Sequence, residues 1–173
     1  MIRIKPGDYH LVVNATVDYH ERAKLFDHKG ELLMTIPCMT MGSNGPRTDV
    51  PAGDTPAGVY HVSYIQRSRP EESATEVWAR YGEWFLDLCE DEGQERAVDR
   101  AGIGLHGGGS RLGVDPDDRL RPLKSRSGAL APKQQLVPTN GCIRVHNADL
   151  ENLAIRFGRA LDSGNTCWIT VVQ

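Results

Sequence analysis

Ala23-Lys24-Leu25-Phe26-Asp27-His28-Lys29-Gly30-Glu31-Leu32-Leu33-Met34-Thr35-Ile36 places two apolar-rich runs on either side of a polar break. Gly30 can supply the positive φ of a hairpin turn, so the stretch reads as two antiparallel strands. Short runs of the same kind recur at Tyr9 to Thr16 and Val59 to Ile65, and the first half of the chain is therefore expected to be β-structure. Trp84-Phe85-Leu86-Asp87-Leu88 continues the series as a buried strand, and Cys167 to Val172 ends it. The clearest helical period starts near Asn147, whose side chain can cap it. It sets Leu150, Leu153, Ala154, Phe157 and Leu161 on one face before Gly164 stops it. A short helix is expected over residues 70–80, with Pro70 near its start. The fold class expected is mainly β, a curved β-sandwich or β-roll with one prominent helix near the C-terminus.

Residues 1–173 read as one domain, because 173 residues suit a single core and no break in composition divides them. Lys plus Arg number 20 against 23 Asp plus Glu, and the net charge of -3 offers no basic field for nucleic acid. No run approaches the roughly 18 apolar residues needed to span a bilayer. Met1-Ile2-Arg3-Ile4-Lys5-Pro6 begins no secretory signal, so the expectation is a chain without an export address of its own. Cys38, Cys89, Cys142 and Cys167 lie far apart with no C-x-x-C pair, which argues against a dense disulfide framework or a zinc ribbon.

Two stretches carry chemistry. Gly102-Ile103-Gly104-Leu105-His106-Gly107-Gly108-Gly109-Ser110 contains G-x-G-x-x-G, but more glycine and a polar loop follow where a dinucleotide fingerprint needs a helix. The better reading anchors a strand end with Ile103 and Leu105 and leaves His106 accessible beside glycine. Val137-Pro138-Thr139-Asn140-Gly141-Cys142-Ile143-Arg144-Val145-His146 holds a cysteine among residues that can activate it. A thiol needs a base or a positive environment to become the nucleophile. Amides of the turn from Asn140 to Cys142 can face an oxygen that becomes negative, and Arg144 can hold a substrate carboxylate or an acidic neighbour.

These residues resemble the L,D-transpeptidases of bacterial cell walls, with the YkuD-type catalytic domain. His106-Gly107 and Thr139-Asn140-Gly141-Cys142-Ile143-Arg144 match the family's His-Gly and S/T-x-G-C-[IV]-R elements. Gly42 and Thr55-Pro56-Ala57-Gly58-Val59-Tyr60 look like its T-P-x-G-x-[FY] loop, and Asn147, Asp149 and Leu153 fit the helix after the cysteine. Asn140 stands where the family usually has His, and the 36 residues between His106 and Cys142 exceed the family's usual spacing. That excess implies an inserted loop between Gly109 and Lys133, within a polar stretch from Gly107 to Pro138 that reads as a mobile cover. By resemblance, Cys142 is the nucleophile, His106 the base, and the Gly107 carbonyl orients the imidazole. Thr139, Asn140, Gly141 and Arg144 then line the oxyanion and substrate site. The substrate implied is a peptidoglycan stem tetrapeptide, cleaved with loss of D-Ala through a thioester, and no metal or organic cofactor is implied. The setting implied is the periplasm or cell wall, and without a leader the partners would include a secretion apparatus or an immunity protein.

Other readings stay open at this stage. The same dyad suits an L,D-carboxypeptidase, a D-amino-acid exchange enzyme or an amidase effector, and an inert Cys142 would leave a wall-binding module. His146 can be a helix N-terminal residue, a partner of the site or half of a zinc site with Cys142. Cys38, Cys89 and Cys167 are expected in the core, and His10, His20, His28 and His61 at the surface. Trp78, Tyr81 and Trp84 read as core aromatics, and Asp87, Glu90, Asp91, Glu92 and Glu95 as a solvated acidic turn.

Overall fold

A computed structural model describes residues 2–15, 21–42, 53–68, 80–93, 102–108, 131–134, 136 and 138–173. Eight strands in it close a barrel: β1 (Tyr9–Asn14), β2 (Arg22–Asp27), β3 (Leu32–Met39), β4 (Gly58–Arg67), β5 (Trp84–Gly93), β6 (Gly104–His106), β7 (Ile143–Val145) and β8 (Cys167–Val172). The order around the barrel is β1-β2-β3-β7-β6-β5-β4-β8. The expected mainly β fold is therefore present, with the sheet closed on itself. β8 pairs parallel with β1, β6 pairs parallel with β7, and the remaining neighbours are antiparallel. The expected hairpin is β2–β3, its turn closed by Gly30 N–H on the Asp27 carbonyl at 3.0 Å.

Alternation builds the interior. Leu11 and Val13, Ala23 and Leu25, Tyr60 and Val62, Leu86 and Leu88, and Ile169 and Val171 are all buried and point inward from their strands. Helix α1 (Asn147–Asp162) packs Leu150, Leu153, Ala154, Phe157 and Ala160 into the same core, while Leu161 is partly buried against it. At the C-terminal end of α1, Asn165 N–H reaches the Ala160 carbonyl and Gly164 N–H the Leu161 carbonyl, both at 2.9 Å. This is the paired bonding that satisfies the last carbonyls of a helix.

Several local expectations are corrected. Asn147 does not cap α1: His146 is the N-cap and makes no side-chain cap bond. The first amides are met instead by Gln134 Oε1 on Asn147 N–H (2.9 Å) and the Pro132 carbonyl on Ala148 N–H (3.1 Å). Cys89 is exposed, because β5 turns Leu86, Leu88 and Glu90 inward and leaves Cys89 on the outer face. Asp87 to Asp91 accordingly lie on a strand with Glu90 buried, not on a solvated turn. Residues 70–79 of the expected short helix, positions 109–130 of the insertion, and His20, Trp78 and Glu95 lie outside the described residues; Arg80 and Tyr81 are helical.

Candidate functional site

The two chemical stretches meet on the outer face of one pair of strands. β6 and β7 run parallel with Leu105 opposite Ile143 and His106 opposite Arg144. Leu105 and Ile143 fill the barrel, so His106 and Arg144 face outward together. Cys142, two residues before Arg144, is half-buried and interacts electrostatically with the Arg144 cation.

His106 is buried at 2% exposure beneath aromatic rings. Tyr81 meets the imidazole edge-on with centroids 5.1 Å apart, and Phe85, its partner across β5–β6, lies nearly parallel to it at 6.1 Å. Gly104 makes room for this roof, since a Cβ there would stand 2.2 Å from the Phe85 ring. Nδ1 of His106 lies 2.8 Å from the Gly107 carbonyl. A carbonyl only accepts, so Nδ1 carries the proton and Nε2 holds the lone pair. Burial first, and then the Arg144 charge, lower the imidazole pKa to about 3, against a smaller raising effect of the Gly107 carbonyl. The neutral ring, the form able to accept a proton, is the form present at neutral pH.

Arg144 is 4% exposed, and its Nη1 donates to the Gly107 and Gly108 carbonyls at 3.3 and 2.7 Å. Burial lowers its pKa to about 10, so it stays charged at neutral pH, and attraction to the Cys142 anion opposes the shift. The guanidinium thus grips the turn behind His106, rather than standing at the surface where a substrate carboxylate would meet it. The pairing of His106 with Arg144 across parallel strands is the cause. Cys142 Sγ donates to the Gly102 carbonyl at 3.6 Å.

The turn before Cys142 is braced by Thr139. Its hydroxyl donates to the Cys142 carbonyl at 2.7 Å and accepts Gly141 N–H at 3.1 Å, so that amide is already engaged. Thr139 N–H bonds the Met41 carbonyl at 3.0 Å, and Gly42 bridges to Thr139. Behind it, Thr55 donates to the Thr40 carbonyl through both N–H (2.9 Å) and hydroxyl (3.1 Å), and Tyr60 OH donates to the Pro56 carbonyl at 2.8 Å. The T-P-x-G-x-Y pattern is therefore a self-bonded brace leading to the cysteine turn. Asn140 is exposed beside Cys142.

Residues that sequence reasoning missed include Glu21, 2% exposed, whose carboxylate takes the Thr40 N–H and hydroxyl at 2.5 and 2.7 Å. Nothing in the polar run around Glu21 marks it as buried. Tyr81, read as core, touches the imidazole itself. His146 stands at the N-cap of α1, as expected of a helix N-terminal residue. Among the described residues no three His, Cys, Asp or Glu side chains are grouped to hold a metal ion. A cleft of about 380 Å³ lies elsewhere, between Gly7, Tyr9 and the outer face of α1.

No curated protein matches the chain. A solved structure of Bdellovibrio bacteriovorus Bd1075 is similar in fold, with a TM-score of 0.55 at 16% identity. The likeness covers 95% of this chain and 47% of that one, so the chain spans about half the length of that protein. The family model for YkuD, the L,D-transpeptidase catalytic domain, matches residues 8–162. That match takes in the braced cysteine turn, the buried imidazole and most of the barrel, and the chain belongs to the YkuD family of L,D-transpeptidase catalytic domains.

Proposed function

We propose that this chain, as one catalytic domain, transfers acyl groups of peptidoglycan stem tetrapeptides through a thioester on Cys142. The observation that carries the reading is the pairing of β6 with β7, which sets an imidazole whose Nδ1 is held on the Gly107 carbonyl opposite Arg144, two residues along the chain from Cys142. Nε2 of His106 takes the thiol proton as sulfur attacks the carbonyl of the third stem residue. The tetrahedral oxygen gains charge beside the Asn140 and Cys142 amides of the turn that Thr139 braces through Gly141, with the Arg144 cation buried behind it. Collapse breaks the peptide bond, and His106 returns the proton to the departing D-Ala amine. The thioester is then attacked by an amine of a neighbouring stem, with His106 accepting its proton; the C–S bond breaks, His106 returns the proton to the Cys142 sulfur, and the cross-linked product leaves. The ring is uncharged before reaction and becomes imidazolium as it takes the thiol proton.

Water in place of the amine gives carboxypeptidase action, and a free D-amino acid gives exchange. The reaction belongs in the periplasm or cell wall, where the stems are, and a secretion apparatus or immunity protein is the class of protein partner this setting suggests. Mass spectrometry of purified muropeptides incubated with wild type and Cys142→Ser tests the reading. We expect cross-linked dimers with loss of D-Ala from wild type, and at least about a 1,000-fold slower reaction from the serine variant. Trimmed tripeptides alone would assign hydrolysis. Wall binding by wild type with unchanged muropeptide masses would make the protein a binding module.

A further inference from the structure

The imidazole depends on one peptide group, whose carbonyl also accepts from Arg144 Nη1 at 3.3 Å and whose N–H has an attachment of its own. The Gly107 carbonyl, which accepts from His106 Nδ1, and the Gly108 N–H are the two ends of a single planar unit. Between two glycines such a unit flips easily, because neither neighbour has a Cβ to oppose it. Gly108 N–H is bound by Asn147 Oδ1 at 2.9 Å. Fixing the N–H fixes the direction of the carbonyl opposite.

Asn147 is itself held through its side-chain nitrogen and its backbone N–H. Its Nδ2 donates to the Ala131 carbonyl at 2.8 Å, and its backbone N–H donates to Gln134 Oε1 at 2.9 Å. Gln134, 5% exposed, in turn donates through Nε2 to the Val145 carbonyl of β7 at 2.8 Å. The carboxamide orientation follows from these partners, oxygen toward an N–H and nitrogen toward a carbonyl. Its oxygen sits where only glycine leaves space: a Cβ on Gly107 would lie 2.0 Å from Oδ1, and one on Gly82 2.6 Å. Gly107 N–H is tied to the Tyr81 carbonyl at 2.9 Å, beside the ring that covers the imidazole.

We propose that Asn147 is a positioning residue for His106, its carboxamide locking the Gly107–Gly108 peptide so that the carbonyl faces Nδ1 and Nε2 is left as the base. This rests on the proposed role of His106 in activating Cys142. Asn147 touches no reacting atom. It fixes the tautomer of the group that does, from the first turn of α1.

The test uses the full chain with Asn147→Ala and Asn147→Asp, each checked for a cooperative thermal transition. Three readouts follow: the nitrogen NMR signals of the His106 ring, assigned by their loss in His106→Gln; the rate of Cys142 alkylation by iodoacetamide; and the pH dependence of that rate. Wild type should show one tautomer with the proton on Nδ1. Asn147→Ala should show a mixture and alkylate about 100-fold more slowly while folded, the scale of loss for a misplaced catalytic group. Asn147→Asp keeps an acceptor for Gly108 N–H, so it should retain the tautomer. Among the described residues the titratable groups around the ring are otherwise Arg144 from β7, Cys142 just before it and Tyr81, and an added carboxylate favours imidazolium. The acid limb of the Asp variant should therefore move to higher pH, a change that a purely structural defect would not produce. A single wild-type tautomer in folded Asn147→Ala overturns the proposal, as does slow alkylation explained wholly by unfolding. If His106→Gln alkylates at the wild-type rate, the base reading fails, and the NMR signals still decide whether Asn147 positions the ring.

Discussion

Cys38 lies on β3 and Cys142 just before its neighbour β7, and their thiols stand in opposite surroundings. Cys38 lies on β3 opposite Val145 of β7, is 3% exposed, and faces the interior. Burial, followed by the Glu21 carboxylate, pushes its thiol up to about 12. Cys142 lies just before β7, half-buried beside the Arg144 cation. Val145 and Cys142 are three positions apart, and that offset places one sulfur among hydrocarbons and the other beside the Arg144 cation. On the proposed reading, reactivity follows the side of the wall, since both sulfurs belong to the same residue type.

The strongest way to break the comparison is to remove the base. His106→Gln keeps a neutral side chain of similar size but cannot take a proton at the sulfur. Acyl transfer should fall about 10²- to 10⁴-fold, which corresponds to roughly 2.7 to 5.4 kcal/mol of barrier. Alkylation of Cys142 should slow with it, while Cys38 stays unlabelled in the folded state of both proteins. Quantitative labelling followed by peptide mass spectrometry reads both sulfurs at once, and a wild-type rate at Cys142 would remove the imidazole from the mechanism.

A smaller effect concerns stability. His106 has its ordinary pKa of 6.5 when unfolded and about 3 when folded, because the buried ring resists charge next to Arg144. Between those values the unfolded chain binds more protons at this site, so stability is present above about pH 6.5 and is lost as pH falls toward 3. The slope from this one group is at most about 1.4 kcal/mol per pH unit. His10, lowered by burial, acts in the same direction, so the contrast with His106→Gln isolates the site. Urea unfolding at pH 7, 6, 5 and 4 should give a flatter pH dependence for the variant, and parallel curves would contradict a buried neutral imidazole.

What could be read in the sequence was what has a local cause. The hairpin around Gly30 and the alternation in β8 follow from a period of two, and the T-P-x-G-x-Y pattern closes on itself through Tyr60 and the Pro56 carbonyl four residues earlier. The His106–Gly107 bond, expected from the resemblance, is also local. Arg144 was expected on an anion because side-chain pairing rules favour one, whereas its partners are the backbone carbonyls of Gly107 and Gly108, which no residue type announces. Asn147 fits a cap by its position, but Gln134 and Pro132, brought back along the chain, meet the helix amides first. Glu21 belongs with these, since its burial depends on Thr40 from the next strand.

Cys89 supplies the smallest effect and sharpens the comparison from a third position. It stands on β5 opposite His61, exposed, and the alternation that hides Leu88 and Glu90 leaves it outside. Exposure without the site's cation or its covered base should leave it an ordinary thiol. Cys89→Ser should change stability by less than about 0.5 kcal/mol, as for other surface changes. Cys38→Ser, the same chemical change inside the barrel, buries a hydroxyl among Ile36, Val145 and their neighbours and should cost about 1 to 3 kcal/mol. Neither substitution should alter the Cys142 alkylation rate of folded protein. In wild type, iodoacetamide should therefore mark Cys142 fastest, Cys89 slowly and Cys38 only on unfolding; equal rates at Cys89 and Cys142 would mean that exposure alone governs the sulfur, and that the imidazole and guanidinium beside Cys142 do not act on it.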